Sequence, residues 1–167
     1  MTWFTRKIDL EEDADALASD VDEEFDNIKS AFNGLFTVGV EAATEDLALS
    51  SSYADIPGAE VTLKPTAASH LLVVAVFDFK AASNLAECKG TIRVDSTDQT
   101  PEARLFPEGA DLTDNGQGTV TQVYDIELSS GSHTIKQRAK YNTVAGGTKA
   151  LATHTRFLYL MIPDPEP

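Results

Sequence analysis

Cysteine, tryptophan and basic residues are scarce in this chain. It has one Cys and one Trp in 167 residues, and 13 Lys and Arg stand against 27 Asp and Glu. The lone Cys88 excludes an internal disulfide framework and the Cys-rich zinc motifs, so stability has to come from packing or from partners. A formal charge of −14 repels phosphate backbones and anionic lipid heads, which argues against nucleic acid and membrane surfaces as partners. Long apolar runs are missing too. Leu71–Phe77 and Phe157–Ile162 are the longest, far below the roughly 18 residues of a membrane span. The N-terminus turns acidic before any apolar stretch forms, so it reads as a protein made without a secretory signal. The 42% hydrophobic content is that of a folded chain and excludes wholesale disorder. A chain of this length suits one domain plus an appendage.

Catalytic signatures are equally absent. No Gly-x-Ser-x-Gly elbow, phosphate-binding Gly-rich loop or His-Glu-x-x-His pair occurs. His70, His133 and His154 sit near strand starts without an acidic neighbour at ligand spacing, so they read as edge or core histidines. Asp95, Asp98, Asp111, Asp114 and Asn115 crowd a polar connection running from Asp95 to Gly118. Asp111 to Gly116 partly imitates a calcium loop, but its twelfth position is Gln122 where a bidentate acid is needed, and Asp and Asn also favour turns for backbone reasons. The connection itself reads as an exposed loop with a recognition role. Cys88 reads as an inert small hydrophobe. No catalytic residue, metal site or cofactor is expected.

Two regimes of hydrophobic spacing divide what is present. Leu10, Ala14, Leu17, Val21, Phe25, Ile28, Phe32 and Leu35 recur at steps of three and four, one face of a helix, with Asp9 and Glu12 as a capping pair and Gly34 as a stop. Two successive steps of four between Leu17 and Ile28 interrupt a clean heptad. Residues 1–30 hold ten acids against Arg6, Lys7 and Lys29, a balance of −7 that is half of the chain's charge. This acidic surface is either the solvated side of an amphipathic helix or a plug for a basic collar. Trp3, Phe4 and Ile8 precede it and need a partner, which can be the body itself.

From about residue 36 the period becomes two. Strands are expected at 37–40, 47–53, 59–63, 69–79, 90–94, 119–128, 132–141 and 153–162, with turns at Pro57-Gly58, Asn115-Gly116, Ser129–Ser132 and Gly146-Gly147. The fold class is mainly β, an antiparallel sandwich of jelly-roll type over 36–167, behind a helical segment over 1–35. In 132–141, Thr134, Lys136, Arg138 and Lys140 alternate with His133, Ile135, Gln137, Ala139 and Tyr141, giving that strand one wet face. Gln122 and Gln137 fall on otherwise apolar sides and can pair in the core or around a symmetry axis. Residues 71–79 and 157–162 do not alternate. Their second apolar face has to meet the N-terminal helix, a neighbouring subunit or covering loops. We expect a self-association surface closed into a ring, formed by Trp3, Phe4, Ile8, Leu10, Leu17, Val21, Phe25, Ile28, Phe32, Leu72, Val74, Val76, Phe157, Tyr159 and Met161.

Ser19 to Leu35 resembles the short N-terminal helix of tailed-bacteriophage fibre, tail and capsid-decoration proteins. Tyr53 to Leu63, the apolar strand Leu71 to Phe79 and Ser130-Gly-Ser-His-Thr-Ile-Lys136 follow in an order similar to compact jelly-roll domains of phage virion proteins. The resemblance implies a non-enzymatic structural subunit, commonly a homotrimer, at the virion surface. Its N-terminal part would attach to capsid or tail proteins while its β body projects. Two other functions compete. Gly131 to Ile135 also resembles lectin-like β-sandwiches, which would make host-surface glycan the partner; an enzyme would need Asp78, Asp95 and His133 to converge.

Overall fold

The computed structural model describes residues 25–27, 36–82, 86–106, 116–142 and 147–164. Eleven strands lie among these residues: β1 (Thr37–Ala42), β2 (Leu47–Ala48), β3 (Ala54–Leu63), β4 (Ser69–Lys80), β5 (Glu87–Val94), β6 (Thr97–Asp98), β7 (Ala103–Leu105), β8 (Gln117–Leu128), β9 (His133–Asn142), β10 (Lys149–Ala150) and β11 (Arg156–Pro163). Of the expected front helix, residues 25–27 are helical and Phe25 is exposed; the rest lies outside the described residues.

The pairings nest. β5 pairs with β7 at the tip, then β4 with β8, β3 with β9 and β1 with β11, all antiparallel. This is one long hairpin, and alternate pairs of it roll into opposite layers. β1, β11, β4 and β8 form sheet A, extended by β10 and β2 beside the far end of β4; β3, β9, β5, β6 and β7 form sheet B. Rolling a long hairpin into two layers gives each strand a face for the common core, and the result is a jelly-roll sandwich.

Odd-numbered residues of β4 supply the centre of that core: Leu71, Val73, Ala75, Phe77 and Phe79 are fully buried. Phe157 and Met161 of β11, Tyr124, Ile126 and Leu128 of β8, and Ile135 and Ala139 of β9 pack with them. Phe77 and Phe79 stack with ring centroids 5.7 Å apart. Gly90 of β5 lies beneath Phe77, where a Cβ would come within 2.4 Å of the ring, so only glycine lets sheet B approach sheet A here. Gln137 spans the layers from the other side. Its Nε2 donates to the Val76 carbonyl at 2.8 Å, an inter-sheet clamp in place of the expected glutamine pair, while Gln122 bonds the Val123 carbonyl.

Three expectations about the strands change. Pro57-Gly58 does not end a strand but sits in an irregularity inside β3, where the register shifts between Asp55 and Glu60 and Gly58 takes φ +78°. The stretch 47–53 keeps only the two-residue β2. The connection after Asp95 is no bare loop, because β6 and β7 pair with β5 along it.

Candidate functional site: an apolar sheet face with an acidic rim

The outer faces of the two sheets differ in kind. On sheet B, Arg138 reaches Asp55 at 2.7 Å and Asp98 at 2.9 Å, and Lys136 reaches Glu60 at 3.0 Å and Asp55 at 3.1 Å. Lys89 and Arg104 meet Glu102 at 3.2 Å each. Partial burial opposes ionisation of Asp55, but its bonds from Lys136 and Arg138 win and hold its carboxyl below the usual range. The Tyr53 hydroxyl donates to Glu102 at 2.6 Å, and Lys140 Nζ lies 4.4 Å from the Tyr53 ring centroid. Burial, then the bond to Glu102, push the Tyr53 hydroxyl far above its ordinary value. This face suits water.

Sheet A presents the opposite. Its register aligns Val40, Leu158, Val74 and Val123 in one row across four strands, and Val38, Leu160, Leu72 and Asp125 in the next. Val38 is 65%, Val40 54%, Val123 50%, Leu158 42% and Leu72 40% exposed, and Ile162 beside them 45%. A shallow groove of about 360 Å³ runs between β1 and β4 over Leu158 and Leu160. Even-numbered positions of β4 and β11 make this surface, as the pleat requires. Leu72, Val74 and Val76 stand on it. Phe157, Tyr159 and Met161 do not: they point inward, Phe157 and Met161 into the core, and Tyr159 lies against Gly39 at the sheet edge. Leu158, Leu160 and Ile162 take their place on the outer side. Trp3, Phe4, Ile8, Leu10, Leu17, Val21, Ile28 and Phe32 fall outside the described residues.

One end of the face is bounded by acids. The row after Leu72 reads Ile162, His70, Glu127. His70 Nδ1 faces Asp125 Oδ1 at 3.2 Å and its Nε2 faces Asp164 Oδ1 at 3.5 Å. The hydrogen bond with Asp125 and the charges of Asp164, Asp125 and Glu127 raise the His70 pKa above its ordinary value. These residues form one wall of an open cleft of about 890 Å³ whose other wall includes Asp95, Ser129 and His133.

Every histidine has an aspartate partner, which the sequence reading did not include. His133 Nδ1 meets Asp95 Oδ2 at 2.9 Å, and His154 Nδ1 meets Asp78 Oδ2 at 3.0 Å. The partners are 38 and 76 residues away in sequence, so local spacing carried no sign of them. Ser129, His133 and Asp95 outline a nucleophile–base–acid series, but His133 Nε2 is 3.0 Å from the Ser129 carbonyl oxygen and 3.5 Å from its hydroxyl. Facing two oxygen acceptors, the imidazole is best served by hydrogens on both nitrogens. Its pKa is raised, first by the Asp95 bond, and its Nε2 lies closer to the Ser129 carbonyl oxygen than to the hydroxyl. The series closes the β8–β9 turn. Asp95, at φ 54°, also accepts from the Thr134 N–H at 2.8 Å. Asp78 is fully buried and accepts from Gln117, so the three residues of the enzyme reading divide between two separate pairs.

Among the described residues no group of three or more His, Cys, Asp or Glu is placed to hold a metal ion. Asp111, Asp114 and Asn115 lie outside them. Cys88 is buried, and desolvation pushes its thiol up to about 11, the behaviour of a packing residue.

No protein-family model and no curated protein sequence matches the chain. Solved structures do. Eiger TNF from S. frugiperda superposes with a TM-score of 0.52 at 8% identity, over 79% of this chain and 96% of that one. A chain of infectious bursal disease virus Gt strain reaches 0.50 at 13% identity, over 78% of this chain and 34% of that one. Dimeric latent PorU from Porphyromonas gingivalis also reaches 0.50, at 10% identity, over 77% of this chain and 12% of that one. Proteins so different in name share the sandwich, and at these identities the likeness establishes the jelly-roll fold alone.

Proposed function

We propose that this chain is a non-enzymatic structural component of a phage virion, acting by binding alone. Copies associate through the outer face of sheet A into a closed ring, a homotrimer. The N-terminal segment docks on capsid or tail proteins, and the sandwich projects as decoration or fibre head at the virion surface. The observation that carries the reading is the uncharged row Val40–Leu158–Val74–Val123, on one sheet of a sandwich whose other sheet is covered in ion pairs.

Magnitudes favour a second copy on that face. Six aliphatic side chains roughly half exposed forfeit about 5–9 kcal/mol in water, at about 1.5–3 kcal/mol for each fully buried one. Association costs about 4–15 kcal/mol in lost freedom, so burying one such face is marginal, and a closed ring, in which every copy buries its face against its neighbours, adds the gain of each copy. The copy's own face is the apolar surface present at equal concentration, and closed symmetry stops growth.

Light scattering on the full chain tests this. The mass is expected at three times the 18.0 kDa chain, and Leu158→Glu is expected to return it to one. A wild-type monomer at high concentration would overturn the reading. Cryo-microscopy of particles with and without the protein tests the virion placement, which fails if no density is lost. One observation favours a glycan-binding function instead: Tyr53, Asp98, Gln99, Glu102 and Arg104 line a hollow of about 350 Å³, an aromatic among polar groups. A glycan array without hits removes it.

A further inference from the structure

We propose that assembly through the outer face of sheet A is proton-linked through His70, so that copies hold together more tightly when its imidazole is charged. This rests on the preceding reading of that face. His70 is one row beyond Val38–Leu160–Leu72–Asp125, at the margin that a second copy would cover, and its side chain is 49% exposed in the single chain. Among the described residues, the charged groups facing it are all acidic. Asp125 and Glu127 come from β8, and Asp164 follows β11; its neighbours on β4 are the uncharged Ser69 and Leu71. Among the described residues, the nearest cation of the face, Arg156, lies at its opposite end, in the row of Ala42 and Val76. Across the cleft, His133 is committed to Asp95 and the Ser129 carbonyl.

The geometry asks for two protons. Each ring nitrogen of His70 faces a carboxylate oxygen, at 3.2 Å and 3.5 Å, and a neutral imidazole can donate from only one nitrogen. With His70 neutral, the margin carries three carboxylates and, among the described residues, no opposing charge. Charging it leaves a balance of −2 and gives both Asp125 and Asp164 a donor. In the free subunit water screens this difference. A second copy excludes that water and brings a like-charged margin with it, so both the pairing and the repulsion strengthen in the assembled state. The assembled form therefore binds the His70 proton more tightly than the free form. By linkage, assembly takes up protons and strengthens as the pH falls through the region just above the ordinary histidine pKa. Each further unit of rise in that pKa on assembly corresponds to about tenfold in the association constant for each subunit that joins.

Sedimentation velocity on dilution series of the full chain at pH 8.5, 7.5 and 6.5 tests the proposal. The wild-type dissociation constant is expected to fall about tenfold from the highest pH to the lowest. His70→Gln is expected to lose that slope, and His70→Arg, permanently charged, to stay tight throughout. An NMR titration gives the second readout, with the His70 pKa higher in the assembled wild type than in the Leu158→Glu variant. Wild-type assembly that ignores pH, or a His70→Gln variant that keeps the full slope, would overturn the linkage while leaving self-association standing. A chain monomeric at every pH would overturn both.

Discussion

Replacing Gly90 by alanine tests how tightly the two layers meet. The added methyl would lie 2.4 Å from Cδ1 and from Cε1 of Phe77, more than 1 Å inside the contact distance at which carbon pairs attract. The ring has little room to yield, since Phe77 is fully buried and stacks on Phe79 at an interplanar angle of 9°. Overpacking a filled core costs about 1–3 kcal/mol, and a clash against a confined aromatic belongs at the upper end, so Gly90→Ala is expected to cost about 3 kcal/mol. Phe77→Leu, which makes room at the same contact, costs on its own through the cavity it leaves. Combined, the two are expected to cost less than their sum by about 1–2 kcal/mol, because each relieves what the other does. Urea unfolding at fixed protein concentration, with a common m-value, measures all four corners of this cycle. A Gly90→Ala variant within about 0.5 kcal/mol of wild type, or strict additivity with Phe77→Leu, would refute the inter-sheet packing described above.

Gln137→Leu removes the donor to the Val76 carbonyl while also removing a buried, unpartnered Oε1, so a net loss of about 1 kcal/mol is expected in chemical denaturation. The Asp95–His133 contact carries a pH signature. The His133 pKa is raised, so its contribution is full below the unfolded histidine value and fades as pH rises through the higher folded value; the Asp95 pKa is lowered, first by the Thr134 N–H, so its contribution fades as pH falls through the depressed folded value. Asp95→Asn is therefore expected to cost more at pH 5.5 than at pH 8.5 in thermal melts. The difference should stay under about 1 kcal/mol, because the aspartate is 48% exposed. Asp78→Ala leaves Gln117 and His154 without their acceptor and is expected to lower stability by about 2–3 kcal/mol, which calorimetry would register.

How far the site was legible varies strand by strand. In β9 the polar positions Thr134, Lys136, Arg138 and Lys140 mark the outer side, because one face meets water and period two shows in composition. β11 offers no such mark. With Phe157 through Ile162 all apolar, the sequence indicates that both faces are greasy but not which parity faces in, and Phe157, Tyr159 and Met161, expected on the association surface, face inward. Parity there follows from the register with β4, where Phe157 pairs with the buried Ala75 and Leu158 with the outward Val74. The histidine partners were hidden for a related reason: nothing local links His70 to Asp125 or His154 to Asp78 until segments far apart in the chain have come together in sheet A.

Composition and periodicity alone were enough to determine an acidic chain with a β-rich body of jelly-roll type, and two strands without a polar side, because these depend on which residues need water. Which of those apolar positions form the core, which form the uncharged row across four strands, and which carboxylates gather around His70 were decided only by tertiary structure. Strand pairing joins residues far apart in the chain, and a shift of one position in register would exchange every inward side chain for an outward one.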